Sequence, residues 1–318
     1  MKINSKTYLL RLWAEVIAFQ FSRLLLIPAK IHLLASRCSH TWLSYADLMR
    51  INSQFKCIEK QSPMQEIAQQ KKWANRVAQI ADIYQARKIL EVGCGNGLAA
   101  FQLLGPKREI YANDLVDQIN DQVKASPVKF TLGDVCQQLP YTSDSFDLIF
   151  SINSFEHFDY PLAALKEMIR VLRPNGILFL AFSPLYYSPW GLHASRRLGM
   201  PYPQLLFPSS VIQQFVAANQ ATLATTYSDF ADRTRIGPAL NGYSLEQYRQ
   251  VMKAQRPCLK TMAYVESISL DGLKIIHHYP GIIKDKIPSL DNLFISGIKL
   301  LARKRPVTSA PVSFDKVK

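Results

Sequence analysis

Five short apolar runs, "KILEV", "EIYAN", "VKFTL", "FDLIFS" and "GILFLAF", lie between residues 88 and 182, with helical stretches between most of them. This is the pattern of a parallel sheet covered on both faces, because a parallel crossover needs a dozen or more residues and usually uses a helix. The fold class that follows is α/β. "SPMQEIAQQKKWANRVAQIADIY" supplies the helix ahead of the first run: Ser62 is placed to cap it, Pro63 suits its first position, and Gln65 follows three residues after the cap. "LRPNG" at 172–176 reads as a turn feeding the fifth strand. After Phe182 the pattern stops. "SPLYYSPWGLHASRRLGMPYPQLLFP" holds five prolines and is too irregular for another strand–helix unit, so residues 184–260 read as a cap inserted over the strand ends. The sheet is expected to finish in runs such as "LKIIHHY" and "LFISGIKLLA".

The first run ends in Glu91-Val92 and passes into Gly93, Gly95 and Gly97. Open α/β sheets bind ligands at this carboxyl end of a strand, and glycines there let the backbone come close and adopt positive φ. A dinucleotide fingerprint would be G-x-G-x-x-G, but position 98 is Leu and the spacing is G-x-G-x-G. This tighter loop after an acidic residue suits a ligand with an amino acid part better than a pyrophosphate. "EIYANDL" ends the second strand in Asp114, 21 residues after Gly93, where a carboxylate can accept the hydroxyls of a ribose. Gly133-Asp134-Val135 ends the third strand, with Asp134 able to accept an amine proton from adenine, and "SINSFEHF" follows the fourth.

With these motifs in order, residues 86–183 resemble the class I S-adenosylmethionine-dependent methyltransferases. The resemblance implies a doubly wound, mostly parallel seven-stranded sheet, the Rossmann-like methyltransferase fold, here with an N-terminal helical extension and an inserted cap. It implies S-adenosyl-L-methionine as cofactor. Glu91, Gly93, Gly95 and Gly97 match positions facing its amino acid part, Asp114 the ribose, Asp134 and Val135 the adenine. Ser151 to His157 match the stretch under the donor methyl. Structural roles compete at each position: Asp114 as a helix cap, Asp134 as a turn residue, the glycines as turn formers.

The cofactor carries its own activated methyl, so the protein must align an acceptor in line and, for a hydroxyl, remove its proton. His157 in "EHF" is the candidate base, with bracing of the next helix as its structural role. Asn153 and His193 complete the catalytic candidates. Some quinone-pathway relatives read E-x-x-E-H here and are thought to hold a metal. Asn153 stands at the first acid of that pattern, so no metal is expected, although Glu156 and His157 remain. In the cap, Tyr186, Tyr187 and Trp190 could wall an aromatic or sugar-bearing acceptor and Arg196-Arg197 could hold an anion, although packing the cap is the plainer role. His277-His278, in a run read as a strand, are taken as structural.

The net charge of +14 does not make a nucleic-acid face. Residues 1–40 and 299–318 each hold +5, leaving +4 on the 258 between. In "TYLLRLWAEVIAFQFSRLLLIPAK", Arg11, Glu15 and Arg23 argue against a transmembrane span and against a signal peptide. On a helix, Arg11, Glu15, Ala18 and Ser22 form one small or polar stripe, with Leu9, Leu12, Trp13, Val16 and Phe19 largely opposite, and Pro28 should end or kink it. That stripe suits either packing on the protein's own domain or peripheral membrane contact through residues 1–30. Five scattered cysteines, Cys38, Cys57, Cys94, Cys136 and Cys258, show neither disulfide nor zinc spacing, and a reducing, cytoplasmic setting is expected.

The expected organisation is an extension over 1–61, the cofactor-binding core over 62–183, the cap over 184–260, the end of the sheet over 261–303 and a basic tail over 304–318. The expected function is methyl transfer to a small-molecule or glycan-like acceptor at oxygen. Two alternatives stand beside it. RNA methylation draws on the basic ends but lacks the [ND]-P-P-[YFW] pattern after the fourth strand, and a non-catalytic cofactor-binding or membrane-associated scaffold would keep the binding set without turnover.

Overall fold

The structure, a computed structural model, describes Ala14 and residues 22–57, 62–193, 198–219 and 240–306. A 3-10 turn, Arg23–Leu26, leads into α1 (Ile27–Ala35) and α2 (Tyr45–Asn52). Then come α3 (Pro63–Ile83), β1 (Lys88–Val92), α4 (Leu98–Phe101), β2 (Glu109–Asp114), α5 (Asp121–Lys124) and β3 (Lys129–Leu132). β4 (Phe146–Ile152), α6 (Pro161–Val171) and β5 (Leu172–Phe182) complete the expected series. Beyond it lie α7 (Pro203–Leu206), α8 (Ser209–Ala218), α9 (Leu245–Ala254), β6 (Leu259–Ile268), α10 (Leu273–His278), α11 (Pro280–Asp285), α12 (Asp291–Phe294) and β7 (Ile295–Lys304).

The seven strands form one sheet in the order β3-β2-β1-β4-β5-β7-β6. β1 to β5 pair in parallel, while β7 runs antiparallel between β5 and β6, so the sheet is the mostly parallel one expected. Alternation along each central strand feeds two cores. Leu90, Val92, Ile149, Leu178 and Leu180 pack with Leu165 and Met168 of α6 and Tyr248 of α9 on one face. Ile89, Leu148, Phe150, Ile177 and Phe179 meet Val77 and Ile80 of α3 on the other. Each such fully buried side chain stabilises by roughly 1.5–3 kcal/mol, which fixes the strand register. α3 starts as read: the Ser62 hydroxyl accepts the Gln65 N–H, and the Gln65 side chain accepts the Ser62 N–H at 2.8 Å.

Two readings are corrected. "LKIIHHY" is not a strand but α10, entered through Gly272 at φ +80° and burying Ile275 and Ile276. The strand that joins β7 is β6, upstream of it. "LRPNG" lies within β5 as an irregularity: the register jumps from Phe146↔Leu172 to Leu148↔Ile177, with Asn175 at φ +62°.

A third core lies off the sheet. Leu33 of α1, Leu48 and Ile51 of α2, Leu205, Leu206 and Phe207, Phe215 of α8, Ile276 of α10 and Phe294 pack together there. The N-terminal helices, part of the cap and the helices between β6 and β7 thus share one apolar interior. Pro28 stands in the first turn of α1, where the 3-10 turn gives way to α-helix. Of the N-terminal stripe, Ser22 is described, whereas Leu9, Arg11, Leu12, Trp13, Glu15, Val16, Ala18 and Phe19 lie outside the described residues, as do Arg196 and Arg197.

Candidate active site

β1 and β4 are neighbours at the point where the chain order reverses, and their carboxyl ends open the crevice where α/β sheets take ligands. Gly93, Gly95 and Gly97 adopt φ of +70°, +55° and +75°. The three differ in what surrounds them. A Cβ on Gly93 would meet Ser154 Cβ at 2.4 Å and one on Gly97 would meet Ile119 and Val123 at 3.0 and 3.1 Å, whereas among the described residues the nearest atom to one on Gly95 is Gln118 Nε2 at 4.0 Å. Packing demands two of the glycines, and the third leaves backbone bare beside open space, as close approach of a ligand requires.

The acidic residue of β2 is tied to this loop. Asp114 Oδ2 accepts the Gly95 N–H at 2.8 Å and Oδ1 accepts the Val116 N–H at 3.1 Å. Asp114 therefore clamps the loop and does not cap α5, whose cap is Asn120. Each carboxylate oxygen keeps a further lone pair, enough for two ribose hydroxyls. Asn113 joins the strand ends by accepting N–H bonds from Gly93 and Cys94 at its carbonyl and donating its amide to Gly133 O at 2.9 Å. Asp134 accepts the Cys136 N–H at 2.8 Å, a turn-forming bond, with buried Val135 beside it. Glu91 is enclosed at the end of β1. Burial, with the charge of Asp114 adding to it, pushes its carboxyl up to about 8, and its Oε2 has no hydrogen-bond partner among the described residues. A neutral carboxyl with an idle oxygen at this place fits the cationic amino acid end of S-adenosylmethionine, which would draw it into ionisation.

β4 ends beneath the loop. Ser151 is fully buried, its Oγ without a hydrogen-bond partner among the described residues, and Asn153 turns the chain at φ +50° while its N–H bonds Ala181 O at 2.8 Å. Ser154 Oγ donates to Gly93 O at 2.6 Å and locks this turn to the glycine loop. The 3-10 turn Phe155–His157 follows, held from the cap by Asn241, whose N–H bonds Glu156 O and whose amide bonds Phe158 O, both at 2.9 Å.

Here the structure brings together residues far apart in sequence. The His157 and His193 rings meet edge to face, 4.9 Å between centroids. Their ring nitrogens and the carboxylate of fully buried Glu156 lie within 4.8 Å of one another. Burial pushes Glu156 up to about 8 and, with His157 beside it, holds His193 down at about 3. His193 sits at φ +56°, its N–H on Trp190 O, and the Trp190 indole donates to Asp271 at 2.8 Å. Tyr186 and Tyr187 stack edge to face at 5.0 Å, and Tyr187 packs against the third core. Of the candidates, His157 and His193 meet and Asn153 begins the same turn. Sequence reasoning did not rank Glu156 with them, although the "EH" pair carried the signal.

The sequence that builds the first five strands is similar to that of known proteins. The family model described as "Methyltransferase domain" matches residues 90–180, and the chain carries a class I S-adenosylmethionine-dependent methyltransferase domain. S-adenosylmethionine is the cofactor of that class. Among curated relatives, a malonyl-[acyl-carrier protein] O-methyltransferase of Porphyromonas gingivalis is 36% identical over 99 residues, covering 30% of this chain and 38% of that one. A 27-O-demethylrifamycin SV methyltransferase of Amycolatopsis mediterranei is 30% identical over 135 residues, 38% of this chain and 47% of its own. A demethylmenaquinone methyltransferase of Deinococcus radiodurans is 33% identical over 121 residues, 35% of this chain and 50% of its own. The chain thus spans half or less of the length of each of these relatives, and the likeness lies in the cofactor domain.

Proposed function

We propose that this protein methylates a hydroxyl of a small-molecule or glycan-like acceptor, using His157 as the group that receives the hydroxyl proton. The observation that carries this reading is the meeting of His193, from the cap, with His157 on the turn that Ser154 fastens to the glycine loop. Two relatives named for methylation at oxygen support it. Bound S-adenosylmethionine supplies an electrophilic methyl on sulfur. The chain's part is to hold it and to exclude water: Glu91, Gly93, Gly95 and Gly97 around the amino acid end, Asp114 on the ribose, Asp134 and Val135 at the adenine, Ser151 and Asn153 below the methyl. The cap, through Asn241 and Trp190, closes over the acceptor side. Positioning supplies most of the rate, and removal of a catalytic base costs about 10²–10⁴-fold. A product assay over hydroxylated acceptors tests this: His157→Ala should lower turnover in that range with cofactor affinity within about threefold of wild type. Unchanged turnover would remove His157 from that role.

We also infer peripheral contact with a membrane surface through the N-terminal helices. Leu24, Ile27, Ile31 and Leu34, spaced by three and four residues, are 61%, 48%, 60% and 63% exposed, opposite buried Leu26 and Leu33. Among the described residues no helix is long and apolar enough to cross a membrane. Sedimentation with anionic vesicles should occur with wild type and be lost when Leu24, Ile31 and Leu34 are all changed to Ser; pelleting by that variant would refute the contact.

A further inference from the structure

Glu156 is a buried carboxylate whose two oxygens have no well-formed hydrogen bond among the described residues, the backbone N–H groups of Glu156 and Ser183 being its nearest donors. Such a group is costly to enclose, and each instance requires a reason. Its surroundings supply one, because imidazole nitrogens of His157 and His193 lie within 4.8 Å of a Glu156 oxygen and of each other. The three side chains come from two segments, the turn after β4 and the start of the cap. They are fixed from opposite sides: Asn241 holds the turn, while Trp190, bonded to Asp271, precedes the loop that carries His193. A Glu–His hydrogen bond would satisfy the carboxylate without an ion, but neither Glu156 oxygen makes one.

We propose that Glu156, His157 and His193 form a binding site for a divalent transition-metal ion, zinc being the ion that this donor set suits. Two imidazoles and one carboxylate are ligands of zinc and of non-haem iron, whereas magnesium and calcium favour all-oxygen sets. Zinc bonds of about 2.0–2.1 Å place donor atoms roughly 3–3.5 Å apart, so the three groups close by about 1 Å on the ion. That movement is within the reach of side-chain torsions. Three protein ligands leave at least one position open, the pattern of catalytic zinc sites. The sequence reading expected no metal because Asn153 lacks a carboxylate; the cap supplies the third ligand instead, through His193.

The open position adjoins the turn locked to the glycine loop, where an acceptor hydroxyl must lie in the proposed reaction. An ion there lowers the pKa of a bound hydroxyl, as zinc brings that of water from 15.7 to about 7. In the transfer the O–C bond forms as the C–S bond breaks and the electron pair stays on sulfur; with His157 engaged on the ion the hydroxyl proton passes to solvent, whereas in the ion-free protein His157 receives it. This chemical role rests on the O-methylation reading, whereas the metal site does not.

The test is calorimetric titration of chelator-treated full chain with ZnCl₂ alone, repeated with Co²⁺ to read visible ligand-field bands. Wild type should take up one ion tightly. Glu156→Gln, His157→Ala and His193→Ala should each weaken uptake by more than about 100-fold and change the cobalt spectrum. Thermal melting confirms folding; His193→Ala, outside the sheet cores, provides the decisive comparison if Glu156→Gln unfolds. Either no uptake by folded wild type or equal uptake by a folded His193→Ala overturns the site. Equal uptake would move the ion to other donors such as His32 and His277, whose rings stack at 5.0 Å. The titration contains no S-adenosylmethionine, so its failure leaves the methyltransferase reading intact.

Discussion

Individual residues of the glycine loop carry separable burdens. Gly93→Ala puts a methyl into Ser154 and holds alanine at φ +70°, so it should cost more than about 2 kcal/mol of stability and abolish cofactor binding. Gly95→Ala meets no neighbour closer than 4.0 Å and should cost about 1 kcal/mol while still losing cofactor affinity, because its methyl occupies ligand space. Denaturant melts and cofactor titrations on both variants check the contrast, and equal loss of stability would contradict it. Glu91 adds a pH dependence. Folded, it titrates at about 8 against an ordinary 4.5, so between those values the folded state holds a proton that the unfolded state has released. Its contribution to stability is full below pH 4.5 and falls as pH rises toward 8, by up to roughly 1.4 kcal/mol per unit. Glu91→Gln should remove that slope from melts taken across the range; a slope unchanged in the variant would show that Glu91 is ionised when folded.

At the scale of elements, what could be read in the sequence depended on which interactions are local. β1, β4 and β5 were legible because burial on both faces makes each a largely apolar run, while the more exposed β2 and β3 showed as short aromatic and β-branched runs. The cap of α3 was legible because a capping box is written in four adjacent residues. "LKIIHHY" was not, since so short a run built on Leu273, Ile275 and Ile276 fits strand or helix equally, and the deciding signals were its neighbours, Gly272 in the left-handed region and Pro280 opening the next helix. β6 was missed for the opposite reason: an edge strand with a weak burial pattern has little apolar signature. Of the candidate site, the residues proposed for the cofactor stand in the sequence as spaced motifs, while the meeting of Glu156 with His193 was not legible, because only the cap's path brings them together. A further buried pair steadies the loop after Asp134, the position proposed for the adenine. Glu167 of α6 accepts the Leu139 N–H at 2.8 Å and pairs with Arg170 at 2.6 Å, and Arg170 bonds Tyr141 O, pinning the loop after Asp134. Glu167→Ala should cost about 3 kcal/mol and weaken cofactor binding, both readable by melting with and without cofactor. A neutral substitution would show that the loop is held otherwise.

For the whole molecule, one sheet presents its carboxyl edge, with the glycine loop and the turn after β4, at the crevice between β1 and β4, and the cap reaches that turn through Asn241. The third core joins part of that cap to α1 and α2, so the cap and the N-terminal helices share one interior. The central claim is that this crevice takes S-adenosylmethionine with Asp114 on its ribose. It is tested most directly by calorimetric titration of S-adenosylmethionine into wild type and Asp114→Ala, each shown to be folded. Two hydrogen bonds to a charged group are worth about 1.5–3 kcal/mol apiece, so one-to-one binding by wild type should weaken more than 100-fold in the variant. Equal affinities, or no binding by the folded wild type, would contradict the account.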